Sequence, residues 1–175
     1  IYAHYIKNAV FHNNEITRTS SGYTSGYVIY FYNNQHIKVT NNKIIQPCGG
    51  YGIYSEYVSG SSSLRSLIAN NFISVGSQTN VYPYAWYSYS LSYIDFYNNT
   101  TYTNTNYSGY YSLYIYYGNN IRLMNNSIFQ ANQGYLMYNY YSGTKNLERS
   151  NFNNFYSTKT TGTYFYSSSS YNTLS

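Results

Sequence analysis

Few groups in this chain could move a proton or hold a metal. They are Asp95, the glutamates Glu15, Glu56 and Glu148, the histidines His4, His12 and His36, and a lone cysteine, Cys48. Glycosidic hydrolysis needs two carboxylates about 5–10 Å apart. Asp95 and Glu148 are the one pair that shares a position in the pattern described below, two repeats apart with Arg122 between them. Glu15 and Glu56 fall elsewhere and face no evident partner. A metal or acid–base role for the histidines would require them to converge on a carboxylate, and their positions in the pattern differ. One cysteine excludes an internal disulfide and a Cys-based metal site. Gly49-Gly50-Tyr51-Gly52 lacks the following helix that a phosphate cradle needs. The expectation is therefore no catalytic residue, no metal and no cofactor.

The element that positions these residues is a repeat. An asparagine pair recurs in a short apolar frame, as in Val39-Thr40-Asn41-Asn42-Lys43-Ile44 and Leu123-Met124-Asn125-Asn126-Ser127-Ile128. The first asparagines are Asn13, Asn41, Asn70, Asn98, Asn125 and, in a degenerate copy, Asn151, separated by 28, 29, 28, 27 and 26 residues. A period of this size means stacked coils. Aligned on that residue, Phe11, Val39, Ile68, Phe96 and Leu123 share one column, and Ile16, Ile44, Ile73 and Ile128 another. Alternate strand positions share a face, so both columns point inward across a bend at the Asn pair. Asn tolerates the left-handed conformation of such a bend, and its amide can hydrogen-bond along the stack. The first-Asn column is expected to supply both corner and ladder. In the last copy Arg149 takes an inward position and Phe152 replaces the second Asn.

A further inward column stands four residues before the first Asn, at Ala9, Ile37, Ser66, Ile94, Ile121 and Leu147. The outward column between it and that of Phe11 reads Val10, Lys38, Leu67, Asp95, Arg122 and Glu148. Its last three members alternate in sign, which predicts an exposed ion-pair ladder with Arg122 between the two acids. Each link would contribute about 0–1 kcal/mol.

Composition narrows the partners. Only 7% of residues are charged, the net charge is +5, and 30 of the 175 residues are tyrosine. No Lys/Arg cluster tracks a phosphate backbone, so no nucleic-acid partner is expected. No apolar run of about 18 residues is present, so no membrane insertion is expected. Tyrosines alternate with small aliphatics in a second strand family, among them Tyr27–Tyr32, Tyr84–Tyr87 and Tyr111–Tyr116. Tyr30, Tyr54, Trp86, Tyr87, Tyr114, Tyr116 and Tyr138 are expected to form an aromatic strip along the stack. Such a strip suits self-association, glycan contact or the stacking of the coil itself.

The repeated V/I/L-x-Asn-Asn-x-Ile frame and its period resemble the right-handed parallel β-helix repeat family, which includes pectate lyases, polygalacturonases and phage tailspikes. The resemblance covers nearly the whole chain. It implies an all-β, right-handed parallel β-helix (solenoid) of about six coils, roughly 27 residues each. Residues 1–166 form one domain and 167–175 a Ser-rich tail or linker. The family's lyases use calcium-binding Asp clusters and its hydrolases grouped Asp residues; this chain has a single aspartate, Asp95. The first coil starts at Ile1 without a polar cap, which suggests end-to-end stacking or further chain. The resulting expectation is a non-catalytic extracellular or cell-surface structural protein, a self-associating filament subunit or adhesin segment. Its partners would be other copies of itself, with glycans a further possibility. The alternative is a polysaccharide-binding or polysaccharide-degrading β-helix.

Overall fold

The structure, a computed structural model, describes residues 1–19, 26–76, 82–140, 147–159, 165–166 and 170–171. These residues form an all-β parallel solenoid of about five turns, one fewer than the six expected when the degenerate copy at Asn151 is counted. Three strands make up each turn.

The tyrosine-bearing strands are β1 (Tyr2–His4), β4 (Tyr27–Tyr32), β7 (Tyr51–Ser59), the first halves of β10 (Tyr84–Tyr97) and β12 (Tyr111–Met124), and β14 (Tyr135–Tyr140). The strands leading into the Asn pair are β2 (Val10–His12), β5 (Lys38–Thr40), β8 (Ser66–Ala69), the second halves of β10 and β12, and β15 (Leu147–Asn151). After the pair come β3 (Glu15–Thr17), β6 (Lys43–Gln46), β9 (Phe72–Gly76), β11 (Thr100–Thr105), β13 (Ser127–Asn132) and β16 (Asn154–Ser157), stacked as a separate six-stranded sheet. Beyond β14, β17 (Phe165–Tyr166) continues the parallel stack, and β18 (Ser170–Tyr171) pairs with it antiparallel. Part of the expected tail is thus a strand. The rest of the tail lies outside the described residues.

Left-handed residues turn the chain at the corners. The columns are Tyr5, Asn33, Tyr57, Ser90 and Tyr117, then Asn8, His36, Tyr93 and Asn120, then the Asn-pair corner. The core lies inside these corners. Ile37, Ile94 and Ile121, then Val39, Ile68, Phe96 and Leu123, then Ile44, Ile73 and Ile128 are all buried, as the alignment predicts.

The two asparagines of each pair divide the work that the sequence assigns to one. Asn13, Asn41, Asn70, Asn98 and Asn125 hold the left-handed corner, with φ of 54–58°, and their side chains are exposed. The amide ladder runs one residue later. The Nδ2 of Asn14, Asn42, Asn71, Asn99 and Asn126 donates to the Oδ1 of the next coil's Asn, ending at Asn153, over 2.8, 2.9, 2.9, 3.0 and 2.9 Å. Each backbone N–H from Asn14 to Asn126 donates to the same Oδ1. From Asn42 onward the amide also donates to a carbonyl one coil back, as from Asn99 to Ile68. A buried amide with this many partners satisfies the polar groups of a bend sealed from water.

The last copy realigns accordingly. Ile121 pairs with Leu147 but Arg122 pairs with Arg149, so Glu148 is an extra bulged residue. The inward place next to Leu123 goes to Ser150 rather than Arg149. Phe152 takes the left-handed corner at φ 57°, 81% exposed, and Phe155 rather than Asn154 follows Ile128. Asn151 is therefore outside both the ladder and the corner.

Candidate functional site

The feature that stands out is the outer face of the tyrosine-bearing strands. A Tyr-x-x-Tyr unit recurs at Tyr27/Tyr30, Tyr51/Tyr54, Tyr84/Tyr87, Tyr111/Tyr114 and Tyr135/Tyr138. The two residues between are both buried, as in Val28-Ile29, Ala85-Trp86 and Leu136-Met137. Turning two consecutive side chains inward puts both tyrosines outside, and the parallel register stacks them coil upon coil.

Three rows result. In the central row Tyr30, Tyr54, Tyr87, Tyr114 and Tyr138 follow one another at centroid distances of 5.3, 4.8, 4.4 and 4.4 Å. Its last three pairs lie within 5–8° of parallel. Beside it runs the row Tyr27, Tyr51, Tyr84, Tyr111 and Tyr135, spaced 4.9–6.5 Å. The outer row holds His4, Tyr32, Glu56, Tyr89, Tyr116 and Tyr140 in register. Tyrosines of the central and outer rows remain partly exposed.

The expected strip residues separate. Tyr30, Tyr54, Tyr87, Tyr114 and Tyr138 are the central row, and Tyr116 belongs to the outer one. Trp86 does not join them: it is 2% exposed, packs edge-on against Phe96 at 5.3 Å, and donates from Nε1 to Ser55 Oγ at 3.0 Å. The sequence holds a clue to this, because Trp86 aligns with Ile53 and Leu113, both aliphatic.

Burial shifts the phenols together. Desolvation, with the neighbouring phenols adding to it, pushes Tyr51 up to about 12. Desolvation likewise raises Tyr84 and Tyr114 well beyond the ordinary range, and raises Tyr54 with help from its hydrogen bond to Glu56. A packed row of phenols resists charging because each phenolate would face its neighbours in a dry setting.

Glu56 has partners that the sequence does not reveal. Tyr54 donates its hydroxyl to Oε1 at 2.7 Å and Tyr30 donates to Oε2 at 3.0 Å. The other carboxylates are ion-paired. Glu15 meets Lys43 at 2.7 Å, its register partner one coil on. Asp95 is in register with Arg122, as expected, but its ion pair is with Arg65 Nε at 2.6 Å. Arg65 also reaches Glu148 at 3.0 Å, and Arg122 meets Glu148 at 2.7 Å. Arg65 further donates to the carbonyls of Ile94 and Asn120, clamping successive coils. The alternating row is thus a four-membered network entered through Arg65, which reaches it from the stretch before β8.

The histidines stay apart. His4 packs against Tyr30 and Tyr32, His12 Nδ1 bonds Thr40 Oγ1 at 2.9 Å, and His36 Nδ1 bonds the Leu64 carbonyl at 2.8 Å. Among the described residues no group of three or more His, Cys, Asp or Glu is placed to hold a metal ion. Comparison with protein-family models, with curated proteins and with solved structures finds no match to this chain.

Proposed function

We propose that this chain is a non-catalytic, extracellular or cell-surface structural protein that associates with copies of itself through its tyrosine wall, as a filament subunit or adhesin segment. The observation that carries the reading is the wall itself, two rows of tyrosine running from β4 to β14 with a third beside them that is broken only at Glu56. A flat, weakly charged surface of rigid phenols offers contact area at low entropic cost, with hydroxyls for hydrogen bonds at its edge. The non-catalytic part of the reading draws on the carboxylates, since Asp95 and Glu148 both lie against Arg65 and so lack the opposed free pair that glycoside cleavage uses.

The alternative is a polysaccharide-binding or polysaccharide-degrading protein akin to the pectate-lyase-like β-helices. Sugar rings stack on open aromatic faces, whereas in the central row the faces cover one another at 4.4–4.8 Å. Self-association uses the edges and hydroxyls that remain.

Sedimentation velocity over a range of concentrations, with electron microscopy of the same samples, tests the proposal. Concentration-dependent oligomers or filaments that dissociate on Tyr117→Lys, at a 37%-exposed ring on the margin of the wall, are the expected result. A monomer at every concentration would overturn it.

A further inference from the structure

Glu56 interrupts the outer tyrosine row, with Tyr32 and Tyr89 as its register partners on either side. Strands stack about 4.8 Å apart, so these two rings flank a gap of roughly two strand spacings. Tyr57, at the adjacent left-handed corner, closes one side of it. Its ring centroid lies 5.9 Å from Tyr32 and 5.6 Å from Tyr89, at 87° and 81° to them. The Glu56 position is thus bordered by three rings, Tyr32 and Tyr89 in register with it and Tyr57 across the space between them. The carboxylate oxygens are steadied by the Tyr54 and Tyr30 hydroxyls. Tyr57 is 47% exposed, which leaves the recess open to solvent.

The charge at its base is uncompensated. Among the described residues Glu15, Asp95 and Glu148 each meet a Lys or Arg, whereas Glu56 meets only hydroxyls. A carboxylate with aromatic rings beside it attracts cations, because the ring quadrupoles and the full charge act in the same direction.

We propose that Tyr32, Tyr57 and Tyr89 over Glu56 form a binding cage for a methylated ammonium group. Such a group is weakly hydrated, presents apolar methyls to the rings and needs no hydrogen-bond acceptor. A primary ammonium carries three donors and is strongly hydrated, so it loses more on leaving water for aromatic surroundings.

The same frame recurs two coils later without the recess, which gives an internal control. There Tyr116 occupies the place of Glu56 and fills the gap, stacking on Tyr89 at 5.5 Å and on Tyr140 at 5.0 Å. Tyr117 takes the corner place of Tyr57. One substitution in the repeat, Glu for Tyr, thus exchanges a filled row for an anionic opening.

The inference goes beyond the self-association reading, and its test is independent of it. The intact chain is titrated with choline, with N-trimethyllysine and with 3,3-dimethylbutan-1-ol, the uncharged counterpart of choline, and tyrosine resonances are followed by NMR. Both cations are expected to bind at least ~10-fold more tightly than the alcohol. Glu56→Gln, which keeps hydrogen bonding to the tyrosines, should remove that preference, and Tyr117→Ser should leave it intact. Tighter binding of trimethyllysine would identify a modified polypeptide as the source of the group, and tighter binding of choline a head group. Equal binding of choline and the neutral alcohol by the unsubstituted chain would overturn the cage, whatever happens to the variants. So would a preference that survives Glu56→Gln.

Discussion

Two columns run the length of this solenoid, and they differ in what surrounds them. The amide column from Asn14 to Asn153 passes through the wall of the coil, with Asn42, Asn71 and Asn126 at 2% exposure. The tyrosine column from Tyr30 to Tyr138 stands on the outside, half covered. Both repeat one side chain per coil, and both follow the strand spacing. The amide column is closed from Asn42 to Asn126: the donors and acceptor of each of these side chains are met by the coils before and after, so nothing remains for a partner. The tyrosine column is closed only along its axis, where ring faces meet, and its edges remain available. A buried column builds the fold, while an exposed one built on the same spacing can also act outward.

Alkali should separate the two columns most severely. Burial raises Tyr51, Tyr84 and Tyr114 of the wall above the ordinary 10.0, Tyr51 to about 12. For a group raised on folding, the stabilisation is full below the unfolded pKa and is lost as pH rises through the folded value. Stability should therefore hold steady up to about pH 10 and fall steeply between there and pH 12 or above. The ring resonances of Tyr51, Tyr84 and Tyr114, followed by NMR, should then titrate together with the loss of circular dichroism. Ionisation of these three rings near pH 10 with the fold unperturbed would mean that the wall is looser than described.

Substitutions then compare the columns one residue at a time. Asn99→Ala removes an amide that accepts from the Asn71 backbone and side chain and donates to Ile68 and Asn126. It should cost about 3 kcal/mol in chemical denaturation, because buried groups lose their partners. Tyr87→Ala, which uncovers the faces of Tyr54 and Tyr114, should cost about 2 kcal/mol. Tyr87→Phe keeps the stacking and should cost less than about 1 kcal/mol. Asn98→Gly should change stability by under about 0.5 kcal/mol, since glycine accepts the left-handed corner. If Asn98→Gly costs as much as Asn99→Ala, the division between corner and ladder is wrong.

Much of this architecture can be read from the chain. The spacing of the Asn pairs fixes the coil, and the flanking aliphatics fix which side faces in. The one-residue offset of the ladder cannot be read, because both members of each pair are Asn and both roles suit Asn. Only the last copy separates them: Phe152 shows that the corner tolerates another residue, and Asn153 shows that the ladder keeps its amide. Its register is hidden by the bulge at Glu148, since Leu147-Glu148-Arg149 is also consistent with regular pairing. Simple alternation misplaces Trp86, because the strand turns Ala85 and Trp86 inward in succession. Arg65 and Glu56 are illegible for another reason. Their partners are set by side-chain reach, from Arg65 and Tyr30 across coils and from Tyr54 along its own strand, which a column alignment does not encode.

In the proposed division of labour the buried column builds and the exposed wall makes contacts. Measuring stability and self-association on the same two variants, Asn99→Ala and Tyr117→Lys, below the melting temperature of each, separates the two roles. The expected result is crossed: Asn99→Ala lowers the denaturation midpoint while sedimentation still reports oligomers, and Tyr117→Lys abolishes the oligomers at an unchanged midpoint. A Tyr117→Lys variant that associates like the unsubstituted chain would contradict it, as would one that loses association only by unfolding.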